Sequence, residues 1–193
     1  MRRFVSLLTA FAAAACFMSV LASAADAQEG VFLTEADAPA AAFGNDASFV
    51  RQVVAATPEL RSAMRQRLGN MEPSVWENEY VAFKATRGDT LLGYAVIVEE
   101  IGKHRAITFV VGVRTDGTIN DVAVMAYREA YGGEIKAKRF LNQYRGKSGS
   151  DALHAPDDVK NIAGATLSVD AASRAVKKAI AVVHAAFGDG AGQ

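Results

Sequence analysis

Residues 75–127 read VWENEYVAFKATRGDTLLGYAVIVEEIGKHRAITFVVGVRTDGTINDVAVMAY, and this stretch predicts four β-strands. Apolar side chains alternate along it, and turn residues interrupt it at three places. The predicted strands are 75–85, 91–99, 104–113 and 119–127, separated by Arg87-Gly88-Asp89, Gly102-Lys103 and Asp116-Gly117. Strands joined by such short turns can pair antiparallel, so the stretch predicts a β-meander.

Helices are predicted on both sides of this stretch in the sequence. Residues 34–43 begin with a capping-box-like pattern and end at a glycine, and Thr57-Pro58-Glu59 starts a second helix that ends at Leu68. Residues 48–55 form a strand between them, and a further helix is expected over 135–144. We therefore predict an α+β fold, an antiparallel β-meander sheet with helices packed on one face, one of them following Thr166.

The last helix follows the run Asn161-Ile162-Ala163-Gly164-Ala165-Thr166-Leu167-Ser168. Apolar residues recur downstream at helical spacing, namely Val169, Ala172, Val176, Ile180, Val183 and Phe187. Ser168 is the predicted N-cap of this helix, and Gly188 is its predicted end. A helix N-terminus favours a phosphate, because its free N–H groups and its dipole attract an anion. A phosphate ester on Thr166 would be stabilised there, although an ordinary loop and cap explain the same local sequence.

Residues 1–27 have the pattern of a secretory signal peptide. Two arginines precede the almost wholly apolar residues 4–21, and small residues follow. Cleavage is predicted after Ala24 or Ala27. The alternative is an uncleaved membrane anchor, because the apolar run is nearly long enough to span a bilayer.

Charge and cysteine content narrow the classes of function. The 21 basic residues balance the 21 acidic ones, so a nucleic-acid partner is not indicated. Cys16, the one cysteine, lies in the predicted signal peptide, and the mature chain would have no disulfide, thiolate metal site, iron–sulfur cluster or c-type haem. His104, His154 and His184 have no metal-ligand spacing, so any redox role needs a bound organic cofactor.

Residues 163–168 resemble the Ser/Thr-Gly-Ala-Thr-x-Ser/Thr motif of the FMN-binding domain family. That family includes the C subunit of sodium-translocating NADH:quinone reductase and the G subunit of the Rnf complex. Residues 100–104, 128–134 and 140–147 extend the resemblance over most of the mature chain, which is most similar to exported single-domain members. Ala163 stands where the motif usually has Ser or Thr. The resemblance implies an FMN-binding domain at 75–193, after an N-terminal helical and strand extension at 28–74.

In this family a periplasmic FMN transferase esterifies the motif threonine to the phosphate of FMN. The resemblance therefore implies one covalent FMN per chain, with Thr166 as the acceptor. A glycine-containing loop that lies near the flavin ring in the family matches residues 129–133 here. The implied cofactor-binding residues are Thr166, Gly164, Ala165, Leu167, Ser168, Glu129, Tyr131, Gly132, Gly133, His104 and Lys103. Lys103, Arg128 and Lys160 are the candidate cations for the flavin ring or the phosphate.

These observations predict a periplasmic electron-transfer flavoprotein, an electron carrier rather than a stand-alone enzyme. Its expected partners are the FMN transferase and membrane or periplasmic redox proteins, and no catalytic residue or metal ligand is assigned. One alternative is a periplasmic flavin-dependent reductase of a small substrate, with His104 or Tyr131 as proton donor. The other is a secreted non-redox binding domain in which Thr166 only begins a helix.

Overall fold

The computed structural model describes residues 30–188, nearly all of which belong to the second of the chain's two units, Phe32–Gln193. The predicted signal peptide and both predicted cleavage positions lie outside the described residues. The elements of the second unit are, in chain order, α1 Ala38–Phe43, β1 Ser48–Ala55, α2 Pro58–Leu68, β2 Glu79–Arg87, β3 Thr90–Ile101, β4 Ala106–Arg114, β5 Ile119–Ala126, a 3-10 helix Gly133–Lys136, α3 Lys138–Leu141, a 3-10 helix Asn142–Tyr144 and α4 Thr166–Phe187. Within residues 30–188, none of the helices combines the length and apolar composition that crossing a bilayer requires.

The five strands form one open antiparallel sheet in the order β1-β2-β3-β4-β5. This arrangement confirms the predicted α+β fold and the meander. The strand at residues 48–55, from the predicted N-terminal extension, pairs with β2 along its whole length, from Ser48 opposite Thr86 to Ala55 opposite Glu79. The extension thus contributes an edge strand to the sheet.

The first strand of the meander starts later than the predicted residue 75, at Glu79. Residues 75–78 are held outside the ladder, because the Glu77 carboxylate accepts the backbone N–H of Glu99 at 3.0 Å. The Glu77 carbonyl also accepts a hydrogen bond from Arg61 at 2.7 Å.

Both faces of the sheet are covered by helices, so the prediction of helices on one face is wrong. The larger core lies between the sheet and helices α2 and α4, and Ile107, Phe109 and Val111 of β4 are fully buried in it. On the opposite face, α1 packs against a smaller cluster that includes Phe83 and Val110. Successive side chains of β4 point to opposite faces of the sheet and are apolar on both faces. Each face is therefore buried by its own helices.

The predicted start and end of α2 are confirmed. Thr57 is its N-cap and accepts the N–H of Leu60 at 3.2 Å, and the helix ends before Gly69. Arg61, in the first turn of this helix, donates to the carbonyls of Ala56 at 3.0 Å and Ser74. The predicted helix over 135–144 is broken into α3 and two flanking 3-10 turns.

The Asp121 carboxylate fastens β5 to the α3 segment. It accepts hydrogen bonds from Lys138 at 2.6 Å and from Arg145. Burial opposes the ionisation of Asp121, but the hydrogen bonds from Arg145 and Lys138 outweigh it and hold the pKa of this carboxyl below its usual range. The contact stabilises the fold above the unfolded-state pKa of about 3.9 and is lost as the pH falls through the lower folded-state pKa.

Asp121→Asn is expected to lower the free energy of unfolding by about 1–3 kcal/mol at pH 7, because two cations lose a charged partner. Urea unfolding at pH 7 and pH 3 measures the effect. The variant should lose less stability than the wild type between these pH values. An equal loss in both proteins would show that Asp121 does not contribute to acid sensitivity.

Candidate functional site

Thr166 is the first residue of the 22-residue helix α4, and its side chain is exposed. Ala165 occupies the N-cap position, and no side chain caps this end of the helix. The N–H groups of residues 166–168 have no acceptor within the helix, and the first turn contains no acidic residue. The Thr166 hydroxyl accepts a hydrogen bond from the Asn161 side-chain amide at 3.2 Å. An exposed hydroxyl therefore lies at an uncapped, electropositive helix end.

The prediction that Ser168 caps the helix is wrong. Ser168 is the third residue of α4 and is buried, with its hydroxyl 3.0 Å from the hydroxyl of Tyr127. Burial raises the pKa of Tyr127, and the Tyr127 hydroxyl donates to the Tyr131 carbonyl. Ser168 thus connects the first turn of α4 to the end of the sheet.

Gly132 brings the glycine-containing loop against the Thr166 helix. Its φ of +82° lies in the left-handed region, and a Cβ added there would be 2.6 Å from the Ser168 hydroxyl and 2.9 Å from the Tyr127 hydroxyl. Two segments that the sequence separates by more than thirty positions therefore meet because residue 132 has no side chain.

Gly132→Ala is expected to cost at least about 1 kcal/mol more stability than Gly146→Ala, because the added methyl overpacks the contact with Ser168. Gly146 is the matched control, since its φ is +75° and a Cβ there meets nothing within 4 Å. Chemical denaturation of both variants measures the difference. Adding Ser168→Ala to Gly132→Ala should recover part of the loss, and equal costs for the two glycines would contradict this account.

Glu129 fastens the turn between β3 and β4. Its carboxylate accepts the backbone N–H groups of His104 at 2.6 Å and Arg105 at 2.9 Å. Burial opposes ionisation, but these N–H groups and that of Lys103 outweigh it and lower the pKa of Glu129. The side chains of Lys103 and His104 are exposed on this turn. The structure therefore places Glu129, Lys103 and His104 together, with the carboxylate used to hold the backbone.

A cavity of about 310 Å³ lies beside the Thr166 run. It is lined by Glu134, Arg139, Phe140, Gln143, Lys160, Asn161 and Ile162. Asn161 belongs both to this cavity and to the hydrogen bond with Thr166, so the cavity adjoins the Thr166 hydroxyl. Arg139 and Lys160 supply positive charge, and Phe140 supplies an aromatic ring. Other cavities, of about 510 and 600 Å³, are both lined by Lys177, which is eleven residues beyond Thr166 in α4.

The remaining predicted cofactor-binding residues include two exposed apolar side chains and two glycines. Leu167 is 50% exposed and Tyr131 is 82% exposed. Gly164 has a φ of +80° with open space around it, so glycine is favoured there by backbone conformation and not by packing. Gly133 begins the 3-10 turn after Gly132. The cofactor-binding roles of all these residues stay predictions.

Sequence reasoning missed two residues of the site: Tyr127, whose hydroxyl contacts Ser168, and Arg139, which lines the cavity. Tyr127 ends the meander and has no motif of its own, although its position next to the loop at 129–133 was a usable signal. Arg139 lies in the segment expected to be a regular helix, where an arginine is ordinary. Of the candidate cations, Lys160 lines the cavity, whereas Lys103 and Arg128 are exposed away from its lining.

The arrangement fits a phosphate-bearing planar cofactor on this chain. The uncapped helix end and the two cations suit a phosphate, and the aromatic and aliphatic side chains around them suit a ring system. Across residues 30–188, no three His, Cys, Asp or Glu side chains come together as a metal site would need.

Comparison with known proteins agrees with this geometry. Residues 102–181 match the model of the FMN-binding domain family, and this range spans the Glu129 turn, the Gly132 loop and most of α4. This match confirms the predicted resemblance to the FMN-binding domain family over residues 102–181. A curated relative from Clostridium ljungdahlii, a subunit of the proton-translocating ferredoxin:NAD(+) oxidoreductase complex, is 29% identical over 106 residues. The aligned region covers 51% of this chain and 57% of that relative.

Proposed function

We propose that this protein is an exported electron-transfer flavoprotein that carries one FMN through a phosphoester on Thr166. The observation that carries the proposal is the exposed hydroxyl at the uncapped start of α4, within the segment that matches the FMN-binding domain family. Free N–H groups in the first helical turn favour the phosphate, and no carboxylate of that turn competes for them.

Attachment of FMN is a phosphoryl transfer to the Thr166 oxygen. The Thr166 oxygen attacks the flavin-side phosphorus of a flavin dinucleotide and forms the new O–P bond. The P–O bond that joins this phosphorus to the second phosphate breaks, the other mononucleotide leaves, and the hydroxyl proton passes to solvent. No electrons are transferred in this step. The chain gains the mass of one FMN less one water, and an FMN transferase outside the cytoplasm catalyses the reaction.

The chain's own residues bind and orient the cofactor. Arg139 and Lys160 line the adjoining cavity and neutralise phosphate charge, while the Asn161 amide orients the Thr166 hydroxyl. FMN, when bound, supplies reversible electron transfer, and the protein contributes tethering, orientation and electrostatics. A covalent link prevents loss of the cofactor by diffusion outside the cytoplasm.

Two features support a role in electron transfer between partner proteins in the periplasm. Residues 1–27 have the secretory pattern, and the relative of Clostridium ljungdahlii is by its name part of an oxidoreductase complex. The redox partners of this chain would be membrane or periplasmic proteins. Since the alignment covers little more than half of that relative, the proposal takes from it only the role of electron carrier.

Export of the chain with and without a periplasmic FMN transferase tests the proposal. With the transferase, we expect a fluorescent band on a denaturing gel and the added mass of one FMN less water. A colourless protein would overturn the proposal and favour the non-redox domain. Rapid turnover of a small acceptor by the purified flavoprotein, without partner proteins, would favour the reductase instead.

A further inference from the structure

Lys136 carries a positive charge held between two aromatic rings near the start of α4. Its ammonium lies 4.4 Å from the ring centroid of Phe32 and 5.4 Å from that of Tyr127. Such cation–π contacts fix the position of a flexible lysine side chain without neutralising its charge.

The charge of Lys136 is not used within the described part of the protein. Among residues 30–188, no ion pair or hydrogen bond joins the Lys136 ammonium to a carboxylate, whereas nearby Lys138 pairs with Asp121 at 2.6 Å. A fixed, uncompensated cation at the surface is a binding feature for an anion or for a group that becomes anionic.

The hydrogen-bond network connects Lys136 to the Ser168 side of α4. The Tyr127 ring contacts the ammonium, and the Tyr127 hydroxyl lies 3.0 Å from the hydroxyl of Ser168. The absence of a side chain at Gly133 leaves room for the lysine, since a Cβ there would be 3.3 Å from the Cε of Lys136. Lys136 is thus next to the first turn of the helix.

Thr166 and Ser168 point to different sides of this helix end. With about 3.6 residues per turn, two positions apart are about 200° apart around the axis. The Thr166 hydroxyl bonds Asn161, which lines the cavity with Arg139 and Lys160, so those cations are placed for the phosphate. Lys136, on the Ser168 side, is left for another part of the cofactor.

We propose that Lys136, positioned by Phe32 and Tyr127, lies against the isoalloxazine of the FMN and raises its reduction potential. Reduction by two electrons with uptake of one proton leaves the ring system with one negative charge, which a nearby ammonium stabilises. Phe32 is 56% exposed and Tyr131 82% exposed, so both retain apolar ring surface that a planar ring can cover. This inference rests on the proposed function, because it needs flavin at this site.

Reductive titration of the flavinylated protein against a reference dye, with dithionite as reductant, tests the inference. Lys136→Gln should shift the balance toward oxidised flavin by about tenfold, which is about 30 mV for a two-electron couple. Lys136→Arg, which keeps the charge, should remain close to the wild type. Lys177→Gln is the control, because it also removes one positive charge, but at a position in α4 that is eleven residues beyond Thr166.

Three outcomes overturn the inference. The first is a potential for Lys136→Gln equal to that of Lys177→Gln. The second is a Lys136→Gln variant whose flavin yield on a denaturing gel falls while its potential is unchanged, which would place the lysine at the phosphate. The third is a shift as large in Lys136→Arg as in Lys136→Gln, which would make the effect one of packing.

If the wild type carried no covalent flavin, the ester at Thr166 would be refuted. The same variants would then be titrated anaerobically with reduced FMN and with reduced riboflavin, and the affinity for each ligand would be measured. The inference expects Lys136→Gln to weaken both ligands about equally, by up to about tenfold, because riboflavin has the ring but no phosphate. Weaker binding of FMN alone, or no binding of either ligand by the wild type, would overturn it.

Discussion

Replacing Lys178 with alanine is expected to lower the free energy of unfolding by about 3–5 kcal/mol. Lys178 is 0% exposed, in the middle of α4, and its ammonium donates to Ser74 and to Glu77, each at 2.7 Å. It also donates to the Glu99 carbonyl and lies 2.7 Å from the Glu100 carboxylate. Removing the ammonium leaves the two largely buried carboxylates without this cation. The free-energy cost of burying the unpaired negative charge is larger than the stabilisation lost with the hydrogen bonds themselves.

Chemical denaturation of Lys178→Ala and of Lys177→Ala measures this effect. Lys177 is the adjacent residue and is only partly buried, so its substitution should change stability by about 0.5 kcal/mol or less. Replacing Lys178, Glu77 and Glu100 together with apolar residues of similar volume should recover most of the loss. Equal effects of the two lysine substitutions would contradict the assigned role of Lys178.

Thr166→Ala is expected to abolish covalent flavin, since the variant has no oxygen to form the ester. The side chain of Thr166 is exposed, so the substitution should leave the fold intact. Flavin fluorescence on a denaturing gel, after co-expression with the FMN transferase, measures the result. Thr166→Ser should retain some flavin, because it keeps the hydroxyl at the same helix position.

Ser168→Ala is the matched control for Thr166→Ala, because it removes the other hydroxyl of the motif. Ser168 is buried against Tyr127, so this change should cost about 1 kcal/mol of stability and leave the flavin attached. Flavin on Thr166→Ala would contradict the ester at Thr166, and loss of flavin from Ser168→Ala alone would indicate Ser168 as the acceptor.

The elements that the sequence predicts well are those set by neighbouring residues. Thr57 and Pro58 begin α2 by a cap and a fixed backbone angle, and the turns at residues 87–89 and 116–117 separate strands that pair in sequence order. These interactions span few positions, so the local pattern contains the information. The apolar spacing after Thr166 predicts the buried side of α4 for the same reason.

The features that sequence reasoning missed depend on contacts between distant positions. Lys178 falls among the polar positions of α4, yet it is buried because Ser74 and Glu77, about one hundred positions away, converge on it. Ser168 has the residue type of an N-cap, but its hydroxyl is used by Tyr127 and the helix begins two residues earlier. Tertiary partners such as these override local preference.

The Thr166 run shows both cases in one site. The sequence predicted that Thr166 lies close to a helix start, and in the structure Thr166 is the first residue of α4. Other features of the site form only in the folded chain, which brings the segments 132–143 and 160–168 together. They are the cavity lined by Arg139 and Lys160 and the approach of Gly132 to Ser168. Local sequence therefore locates the Thr166 hydroxyl, while tertiary structure supplies its surroundings.

Peptide mapping of the flavinylated protein tests the ester at Thr166 most directly. Cleavage after Lys160 and Arg174 releases residues 161–174, NIAGATLSVDAASR. We predict that this peptide carries the mass of one FMN less water and that its fragment ions place the added mass on Thr166. The same mass on Ser168 or Ser173, on another peptide, or on none would contradict the account.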